Sequence, residues 1–419
     1  MTAEAARADG AVGYMAILRG QPALVVIMLT VAGHMLMMGS LAPVLSLYAK
    51  SFGVTEWAIG AVITVFGIGR LAVDIPSGLL AERFGRHTLL WIGPAVAGAA
   101  SVGAALTDSY VLLVVFRFLQ GVGSGIYMTV ATIVCADLST PRTRGRVMAL
   151  YQAALLTGAG LGPAVGGFVA ERFGLGAPFW LAAVIGFGAA LYARFGFRET
   201  QSAVHAQHKD GHGLDAIRTV VAVVPLAVLL FVQFGVFFSR SGGQWTMMPL
   251  LGADRFGYGA ADIGVALTLA ALVNLAVLPW AGSASDRFGG ARVIAASTAA
   301  AAAALLLIAF STGPWMFWGG MALMGFAMGF SAPAIAAFAV ENAPGGRYGP
   351  TMGVLRFFGD LGFVAGPVLL GLSVDVLHVG HGGAIALNGV LVALSALLFV
   401  AVVRGGRTSP QPPGRRPET

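Results

Sequence analysis

Long apolar stretches separated by short polar connections follow one another through almost the whole chain. Most approach or exceed the roughly 20 apolar residues with which a helix crosses the hydrocarbon core of a bilayer. Strands of a membrane barrel would instead show segments of about ten residues with alternating hydrophobicity. The predicted helical spans are 22–47, 58–80, 88–106, 111–136, 146–170, 178–197, 219–248, 261–282, 292–311, 314–340, 350–374 and 384–403.

These spans, numbered 1 to 12, predict an all-α integral membrane protein of two pseudo-symmetric six-helix bundles. The bundles are expected at 21–197 and 219–404, with a cytoplasmic N-tail at 1–20, a polar cytoplasmic linker at 198–218 and a disordered C-tail at 405–419. The composition agrees, because 57% of the residues are hydrophobic and 10% are charged. A soluble domain carries roughly 25% charged residues. The first span is too long to be the core of a signal peptide.

Lysine and arginine in the tails and connections lie almost entirely on one side of the predicted bundle. The exceptions, on the other side, are Lys50, Arg172 and Arg255. Short cytoplasmic loops carry the excess of basic residues in membrane proteins. Both termini are therefore expected in the cytoplasm, in a multi-pass protein of the cell (inner or plasma) membrane. The net charge of +7 then needs no nucleic-acid partner.

The two halves of the sequence repeat each other at an offset of 204 residues. Pairs in register include Gly78 and Gly282, Glu82 and Asp286, Arg83 and Arg287, Gly85 and Gly289, Asp137 and Glu341, Gly158 and Gly362, Gly162 and Gly366, Pro163 and Pro367, and Gly167 and Gly371. Six spans per copy make this a parallel repeat, related by an axis along the membrane normal. Transporters built this way bind substrate near the midplane and expose it to each side in turn.

Three segments carry a resemblance to a known family. Residues 78–87 (GLLAERFGRH) resemble the loop 2–3 signature of the major facilitator superfamily, with Glu82 where the family usually has aspartate. Residues 117–123 (RFLQGVG) are similar to its helix 4 motif. Residues 158–167 (GAGLGPAVGG) resemble the helix 5 motif of proton-driven antiporters, especially drug exporters. The resemblance covers residues 20–404 and implies alternating access, with spans 1, 4, 7 and 10 around a cavity.

Charges at the cytoplasmic ends of the spans are candidates for a gate. An acid there can pair with a base or cap a neighbouring helix, which would hold the cytoplasmic side shut. The alternative is that these charges only follow the positive-inside rule, although an acid repeated at Glu82 and Asp286 favours the latch. The gate candidates are Gly78, Glu82, Arg83, Gly85, Arg86, Asp137, Asp286, Arg287 and Glu341.

Small residues in spans 5 and 11 predict close helix packing and a bend. Glycines four residues apart share one helix face, and bare backbone on that face lets another helix approach closely. The packing candidates are Gly158, Gly162, Pro163, Gly166, Gly167, Gly362, Gly366 and Pro367. We expect a structural and gating role for them, not substrate contact.

Ionisable residues inside spans are costly and mark functional sites by default. Arg70 and Asp74 in span 2 form an i,i+4 pair, as do Arg356 and Asp360 in span 11. The resemblance makes these spans neighbours, so the four charges are either a structural network or a proton path.

The resemblance also links Arg117 to proton coupling, and the alternative is a purely structural role. His34 in span 1 either carries a proton or is satisfied by a neighbouring hydroxyl or carbonyl. The span 1 carboxylate that related exporters often carry is absent.

Methionine and aromatic side chains in the expected cavity favour a lipophilic or amphipathic substrate. The predicted cavity residues are His34, Met38, Tyr127, Met128, Arg240, Gln244, Trp245, Asn274, Met324 and Met328. No partner for Arg240 is evident from the sequence. Arg117 and Arg240 would also suit an anionic substrate.

The first functional hypothesis is therefore a proton-coupled exporter of a small drug-like solute, in the manner of multidrug efflux antiporters. The second is an importer or exchanger of a metabolite or organic anion, and the third is a membrane sensor that does not transport. No Walker loop, nucleophile motif or metal-ligand cluster is present in the sequence, so we expect no enzyme, no metal and no cofactor. The expected partners are a small-molecule substrate, protons and the lipid bilayer, and the expected state is a monomer driven by the proton gradient.

Overall fold

The computed structural model describes residues 14–140, 143–197, 213–346 and 348–406, and every regular element in these ranges is helical. Twelve of the helices are long and apolar enough to cross a membrane. They are α1 Pro22–Leu41, α2 Glu56–Phe84, α3 Arg86–Leu106, α4 Tyr110–Asp137, α5 Arg144–Phe173, α6 Ala177–Gly196, α7 Val224–Phe256, α8 Ala260–Phe288, α9 Gly290–Ala309, α10 Pro314–Glu341, α11 Tyr348–Leu377 and α12 Gly380–Gly406. The predicted all-α membrane fold with twelve spans is confirmed.

The end of the first span differs from its prediction. α1 ends at Leu41, and residues 42–44 form a turn before a short helix at Leu45–Lys50. Pro43 explains the break, because proline has no amide hydrogen and its ring crowds the preceding helical turn. The apolar stretch runs on past this proline, so hydropathy alone could not locate the end.

The seventh span also differs from its prediction. Residues 219–221 belong to a separate short helix at Gly213–Val221, and α7 begins at Val224 with Pro225 in its first turn. Its middle, Ser239–Met247, is a π-helix. π-Helical turns inside α-helices are rare and frequently mark functional sites.

Several helices extend beyond their predicted ends, because the predicted spans were cut at polar residues. α2 begins at Glu56, α7 continues to Phe256 and α12 begins at Gly380, where the apolar stretches gave 58, 248 and 384. Some charged residues that the sequence assigned to connections therefore lie in the end turns of helices. Three of these ends form a cluster of ionisable residues that was not predicted and is described below.

Parts of the predicted tails and linker lie outside the described residues. These parts are 1–13, 198–212 and 407–419, together with Pro141, Arg142 and Arg347. The rest of the predicted linker, residues 213–218, is helical, and the end of the predicted N-tail forms a short helix at Tyr14–Gly20.

Contacts between Cα atoms divide the chain into two compact units. Unit 1 comprises the described parts of 1–54, 61–207 and 258–268, and unit 2 comprises those of 55–60, 208–257 and 269–419. The first residues of α2 therefore belong with unit 2, and the first residues of α8 belong with unit 1.

In unit 1, α1 packs against α5 and α6, and α3 packs against α4 and α6. The centre is formed by fully buried side chains of α1, α3 and α4, including Leu24, Ile27, Leu90, Tyr127 and Val134. In a bilayer such contacts come from van der Waals packing, because lipid is as apolar as leucine.

In unit 2, α9 packs against α10 and α12, while α7 packs against α11 and α12. Its centre includes Leu229, Ile294, Ile335, Phe338 and Phe399.

Large apolar side chains also remain on the surface of these helices. Trp315 is 88% exposed, Phe195 77% and Phe173 74%. Exposed apolar area on this scale marks a surface that something apolar covers, which for twelve apolar helices is lipid.

Candidate functional site

A chain of polar side chains crosses the core of unit 1 between α1 and α4. His34 is 1% exposed, and its Nε2 lies 2.8 Å from the hydroxyl of Ser124. The His34 ring also rests against that of Tyr127, with ring centroids 4.9 Å apart. Tyr127 donates to the Thr30 hydroxyl at 2.7 Å, and Thr30 donates to the carbonyl of Val26 at 2.8 Å. One hypothesis from the sequence was that a neighbouring hydroxyl satisfies His34, and Ser124 supplies such a hydroxyl.

The other nitrogen of the same histidine has no such partner. Nδ1 of His34 is buried and makes no hydrogen bond to a described residue. A buried polar atom left without a partner costs about 1–3 kcal/mol, so most proteins avoid the situation. The imidazole thus has one nitrogen held by Ser124 and one available to a proton, a water molecule or a solute.

Arg117 lies in a second buried polar group, with 4% of its surface exposed. Its Nε donates to the carbonyl of Val62 at 3.3 Å, and its Nη1 donates to Oε1 of Gln120 at 2.6 Å. Gln120 in turn donates to the hydroxyl of Ser101 at 2.7 Å, and the guanidinium lies 4.7 Å from the centre of the Phe66 ring. Within the described part of the chain, no carboxylate pairs with Arg117, so neutral groups alone hold its charge.

The two predicted i,i+4 pairs have different geometries. In unit 2, Nε of Arg356 lies 3.8 Å from Oδ2 of Asp360. In unit 1, Asp74 accepts a hydrogen bond from Thr129 at 3.3 Å, while Nε of Arg70 is buried without a hydrogen-bond partner among the described residues. The structure gives no ion pair between Arg70 and Asp74. A single network of all four charges stays a prediction.

The loop 2–3 motif contributes a close ion pair inside unit 1. Nε of Arg86 donates to Oδ2 of Asp137 at 2.7 Å, with both side chains largely buried. The motif thereby ties the start of α3 to the end of α4. The tight turn between α2 and α3 falls at Gly85, whose φ of 83° is left-handed, and the turn after α8 repeats it at Gly289 with φ 86°. Gly78 lies within α2 beside open space and takes no part in the turn.

The remaining charges of the predicted gate are exposed. Glu82, Asp286 and Glu341 lie on the surface, and the structure gives them no ion pair within the ranges that it describes. Arg83 and Arg287 each stand 5.4 Å from the ring of the phenylalanine that follows them. The latch role of Glu82 stays a prediction.

The glycines of α5 face the backbone of α1. A Cβ at Gly158 would overlap the carbonyl of Ala32, and one at Gly166 would overlap the backbone of Ser40. A Cβ at Gly162 would likewise overlap the backbone of Gly39. In α11 the equivalent glycines face α7. A Cβ at Gly362 would overlap the backbone of Phe234, and one at Gly366 would overlap the backbone of Phe238 and approach that of Gly242.

The same repeat extends to the first turns of α8 and α2. In unit 1, Gly167 faces Ala260 and the Pro163 carbonyl faces Gly264. In unit 2, Gly371 faces Glu56 and the Pro367 carbonyl faces Gly60. Each residue of the first set is related to its counterpart by 204 positions. The sequence repeat is therefore also a repeat of contacts.

The predicted cavity residues of unit 2 include an aromatic group on the π-helix of α7. The guanidinium of Arg240 lies 5.7 Å from the centre of the Trp245 ring, which makes a T-shaped contact with Phe363 at 5.6 Å. Arg240 therefore has a partner that the sequence did not reveal. Gln244 is 7% exposed.

The remaining predicted cavity side chains differ in burial. Tyr127 and Met324 are fully buried, while Met38, Met128, Asn274 and Met328 are intermediate.

One cluster of ionisable residues in unit 2 was not predicted. His381, at the start of α12, has Nδ1 2.8 Å from Oδ2 of Asp254 and Nε2 3.2 Å from Oε2 of Glu56. Asp375 accepts hydrogen bonds from the backbone amides of Glu56 at 3.1 Å and Trp57 at 2.7 Å. These residues lie in predicted connections or at span ends, far apart in sequence. The sequence did predict one shared feature, because all of them lie in connections assigned to the side opposite the termini.

No group of three described His, Cys, Asp or Glu residues is arranged to hold a metal ion. Twelve apolar helices in the described residues and a doubled six-helix pattern are typical of one class of protein, a polytopic membrane transporter. A family model described as the Major Facilitator Superfamily matches residues 27–260 and 229–419. The chain belongs to this superfamily, and it is a transporter rather than an enzyme.

Curated relatives resemble the chain over most of its length. The quinolone resistance protein NorA of Staphylococcus aureus is 25% identical over 366 residues, covering 85% of this chain and 92% of NorA. Multidrug resistance protein 2 of Bacillus subtilis is 23% identical over 354 residues, covering 81% and 85%. Among solved structures, a mutant of the nucleoside transporter NupG superposes with a TM-score of 0.76 at 13% identity, covering 90% of this chain and 99% of that chain. The superposition supports the fold.

Proposed function

We propose that this transporter exports a small lipophilic or amphipathic solute from the cytoplasm in exchange for protons. It works by alternating access in the cell membrane, with both termini in the cytoplasm and the proton gradient as its energy source. It acts as a monomer and needs no metal or cofactor.

The observation that carries proton coupling is the half-satisfied imidazole of His34. Its Nε2 is held by Ser124, while its buried Nδ1 has no hydrogen-bond partner in the described chain. Histidine is the side chain that ordinarily titrates between pH 5 and 8. Span 1 has no carboxylate, so His34 is its only titratable residue and takes the place that a carboxylate has in related exporters.

The proposed substrate class rests on the side chains around the π-helix of α7. Trp245 and Phe363 present aromatic surface, and Arg240 lies against Trp245. Aromatic and methionine side chains adapt to varied apolar solutes. Two relatives bear names that refer to drug resistance, which favours the same class here.

A second candidate is an importer or exchanger of an organic anion. Its supporting observation is Arg117, a buried cation held by neutral groups only. Arginine stays charged under biological conditions, so such a group would stabilise a carboxylate or phosphate that reached it. In that case Arg117 would contact substrate instead of taking part in proton coupling.

Everted membrane vesicles from cells that express the protein test the two directions. With an acidified lumen, we expect ethidium, a lipophilic cation, to accumulate in the vesicles and to leave when an uncoupler is added. Vesicles from cells without the protein are the control. An anion importer would leave ethidium unaffected and would move a labelled organic anion instead. A non-transporting sensor would move neither, and both results would overturn the export proposal.

Variants then locate the proton. We expect His34→Gln to lose ethidium accumulation driven by the pH gradient while keeping exchange of ethidium for ethidium, which needs no proton. The matched control is His378→Gln, because His378 is exposed in the connection between α11 and α12. Unchanged accumulation in His34→Gln would remove His34 from coupling. The single and double variants Asp74→Asn and Asp360→Asn apply the same comparison to the intramembrane acids.

A further inference from the structure

Where α2 and α12 begin and α7 ends, a histidine lies between two carboxylates. We propose that His381, Glu56 and Asp254 form a proton-binding site that fastens the start of α2 to unit 2 when the proton is bound. The orientation of this site, on the face opposite the termini, rests on the proposed function.

The geometry calls for the protonated form of the imidazole. Nδ1 of His381 faces Asp254 at 2.8 Å, and Nε2 faces Glu56 at 3.2 Å. A neutral imidazole has one N–H donor, whereas the imidazolium has two. Only the cation can therefore satisfy both carboxylates. The Nε2 contact falls outside hydrogen-bond geometry, and both of its atoms are buried, so the attraction there is mainly ionic.

Other charged groups, one acidic and one basic, lie near the cluster. Asp375 of α11 caps the first amides of α2. Arg255, which follows Asp254, donates to the carbonyls of Ala309 at 2.8 Å and Ser311 at 3.0 Å, and its guanidinium also lies beside Gly382, the neighbour of His381. His378 is exposed in the connection before α12. Removing the proton from His381 leaves three carboxylates at one helix end without this cation.

Comparison with the other half of the repeat separates this chemistry from packing. The glycine and proline contacts that hold the start of α2 recur at the start of α8, and the capping acid Asp375 corresponds to Glu171 beside Gly259. The proton site does not recur. At the offset of 204, Glu56, Asp254 and His381 correspond to Ala260, Lys50 and Ala177. Unit 1 makes the same packing without any of the three groups, so the packing does not require them.

The sign of the pH effect follows from the charges. At acidic pH the imidazolium attracts both acids and stabilises the start of α2 in this position. At alkaline pH the neutral ring leaves Glu56 near Asp375 and Asp254, and like charges at short range repel. Proton binding therefore shifts the protein toward the arrangement seen here, in the way that histidine protonation biases a two-state element. In an exporter, a proton from outside would thus fasten α2 at its outer end.

Cysteine labelling at the start of α2 tests the site without any transport. The only native cysteine, Cys135, is replaced by Cys135→Ser, and Ala58→Cys is introduced because Ala58 is 4% exposed and two residues from Glu56. Maleimide labelling rates of the purified protein are divided by those of the denatured protein at the same pH, which cancels the intrinsic reactivity of the thiol.

We expect the normalised rate to rise about fivefold or more between pH 5.5 and 8, a typical size for a coupled equilibrium. With His381→Gln added, the rate should be high at both pH values, and with His381→Lys, whose charge persists, it should be low at both. The matched control His378→Gln should keep the full response. A response that is absent with His381 present, or that survives His381→Gln, would overturn the proposal.

The same comparison separates this site from the proposed function. The measurement uses no solute and no gradient, so a His381-dependent response in a protein that fails to export ethidium would retain the site and reject export. Proton-driven export together with labelling that ignores pH would do the opposite. Asp375→Asn weakens the cap on α2 and removes one of the three carboxylates. It should raise labelling at both pH values and reduce the ratio between them, because less repulsion remains when His381 is neutral.

Discussion

Nε2 of His34 and the hydroxyl of Ser124 lie 2.8 Å apart, joining α1 and α4 by a polar contact in the centre of unit 1. Hydrogen bonds between membrane helices contribute modestly, on average about 0.6 kcal/mol. The contact therefore matters more for the orientation of the imidazole than for stability. It fixes one nitrogen and leaves the other available.

Replacing Ser124 by alanine should separate these two effects. We expect Ser124→Ala to lower the free energy of unfolding by about 1 kcal/mol, measured by denaturation in mixed micelles. Proton-driven ethidium accumulation should fall further than this loss explains, because the imidazole can then rotate. Ser124→Thr keeps the hydroxyl and is the control. Equal transport in the alanine and native proteins would show that the orientation of His34 is unimportant.

The ion pair between Arg86 and Asp137 should stabilise unit 1 where α3 begins and α4 ends. Its atoms are 2.7 Å apart and its side chains are 19% and 12% exposed. A double-mutant cycle with Arg86→Gln and Asp137→Asn should give a coupling energy of about 1 kcal/mol, at the upper end for exposed pairs. Arg83→Gln combined with Asp137→Asn is the control and should give additive changes. A coupling indistinguishable from this control would remove the pair as a stabilising contact.

Close packing of α5 on α1 should make Gly158 intolerant of any side chain. A Cβ at this position meets the carbonyl of Ala32, so Gly158→Ala should destabilise the protein by about 2 kcal/mol, as overpacking commonly does. Gly188 in α6 has open space at the same point. Gly188→Ala should be neutral or stabilising by up to about 1 kcal/mol, since alanine favours helix over glycine. Thermal unfolding in detergent compares the two, and similar melting temperatures would contradict the packing argument.

Arg117 distinguishes coupling from anion binding. Arg117→Gln removes the buried charge, and Arg117→Lys keeps a charge but cannot reproduce the bonds to both Val62 and Gln120. If Arg117 serves proton coupling, both variants should lose accumulation driven by the pH gradient while retaining ethidium exchange. If it binds an anionic substrate, Arg117→Lys should retain transport of that anion at raised KM. Full proton-driven export in Arg117→Gln would exclude the coupling role.

The latch proposed at Glu82 has a direct test in transport rate. Glu82 is exposed, so Glu82→Gln should leave the melting temperature unchanged. A charged latch predicts that the same variant slows ethidium transport about tenfold, equivalent to about 1.4 kcal/mol. Arg19→Gln, a change in an exposed basic residue near the N-terminus, is the control for removing a surface charge that the latch does not use. Full transport in Glu82→Gln would end the latch proposal.

The sequence alone was enough for the twelve helices, their doubling and the superfamily. The length of an apolar segment determines whether it can cross lipid. In lipid, a single segment can satisfy all its backbone hydrogen bonds only as a helix. The offset of 204 residues placed Gly167 and Gly371 in equivalent positions, and both make the equivalent contact in the structure. His34, Arg117 and Asp74 stood out because charged or titratable groups are costly inside a membrane span, whereas Arg86 stood out through the loop 2–3 motif.

What those groups touch was decided only by the tertiary structure. Arg70 and Asp74 are four residues apart in α2, yet Asp74 bonds Thr129 of α4, because local spacing does not determine which neighbouring helix supplies a partner. Glu56, Asp254 and His381 come from three helix ends separated by more than a hundred residues, and hydropathy stopped short of each. The sequence shows which polar groups lie in apolar surroundings, where they are energetically unfavourable. The partners that stabilise them are determined by helix packing, which brings together residues with no fixed separation along the chain.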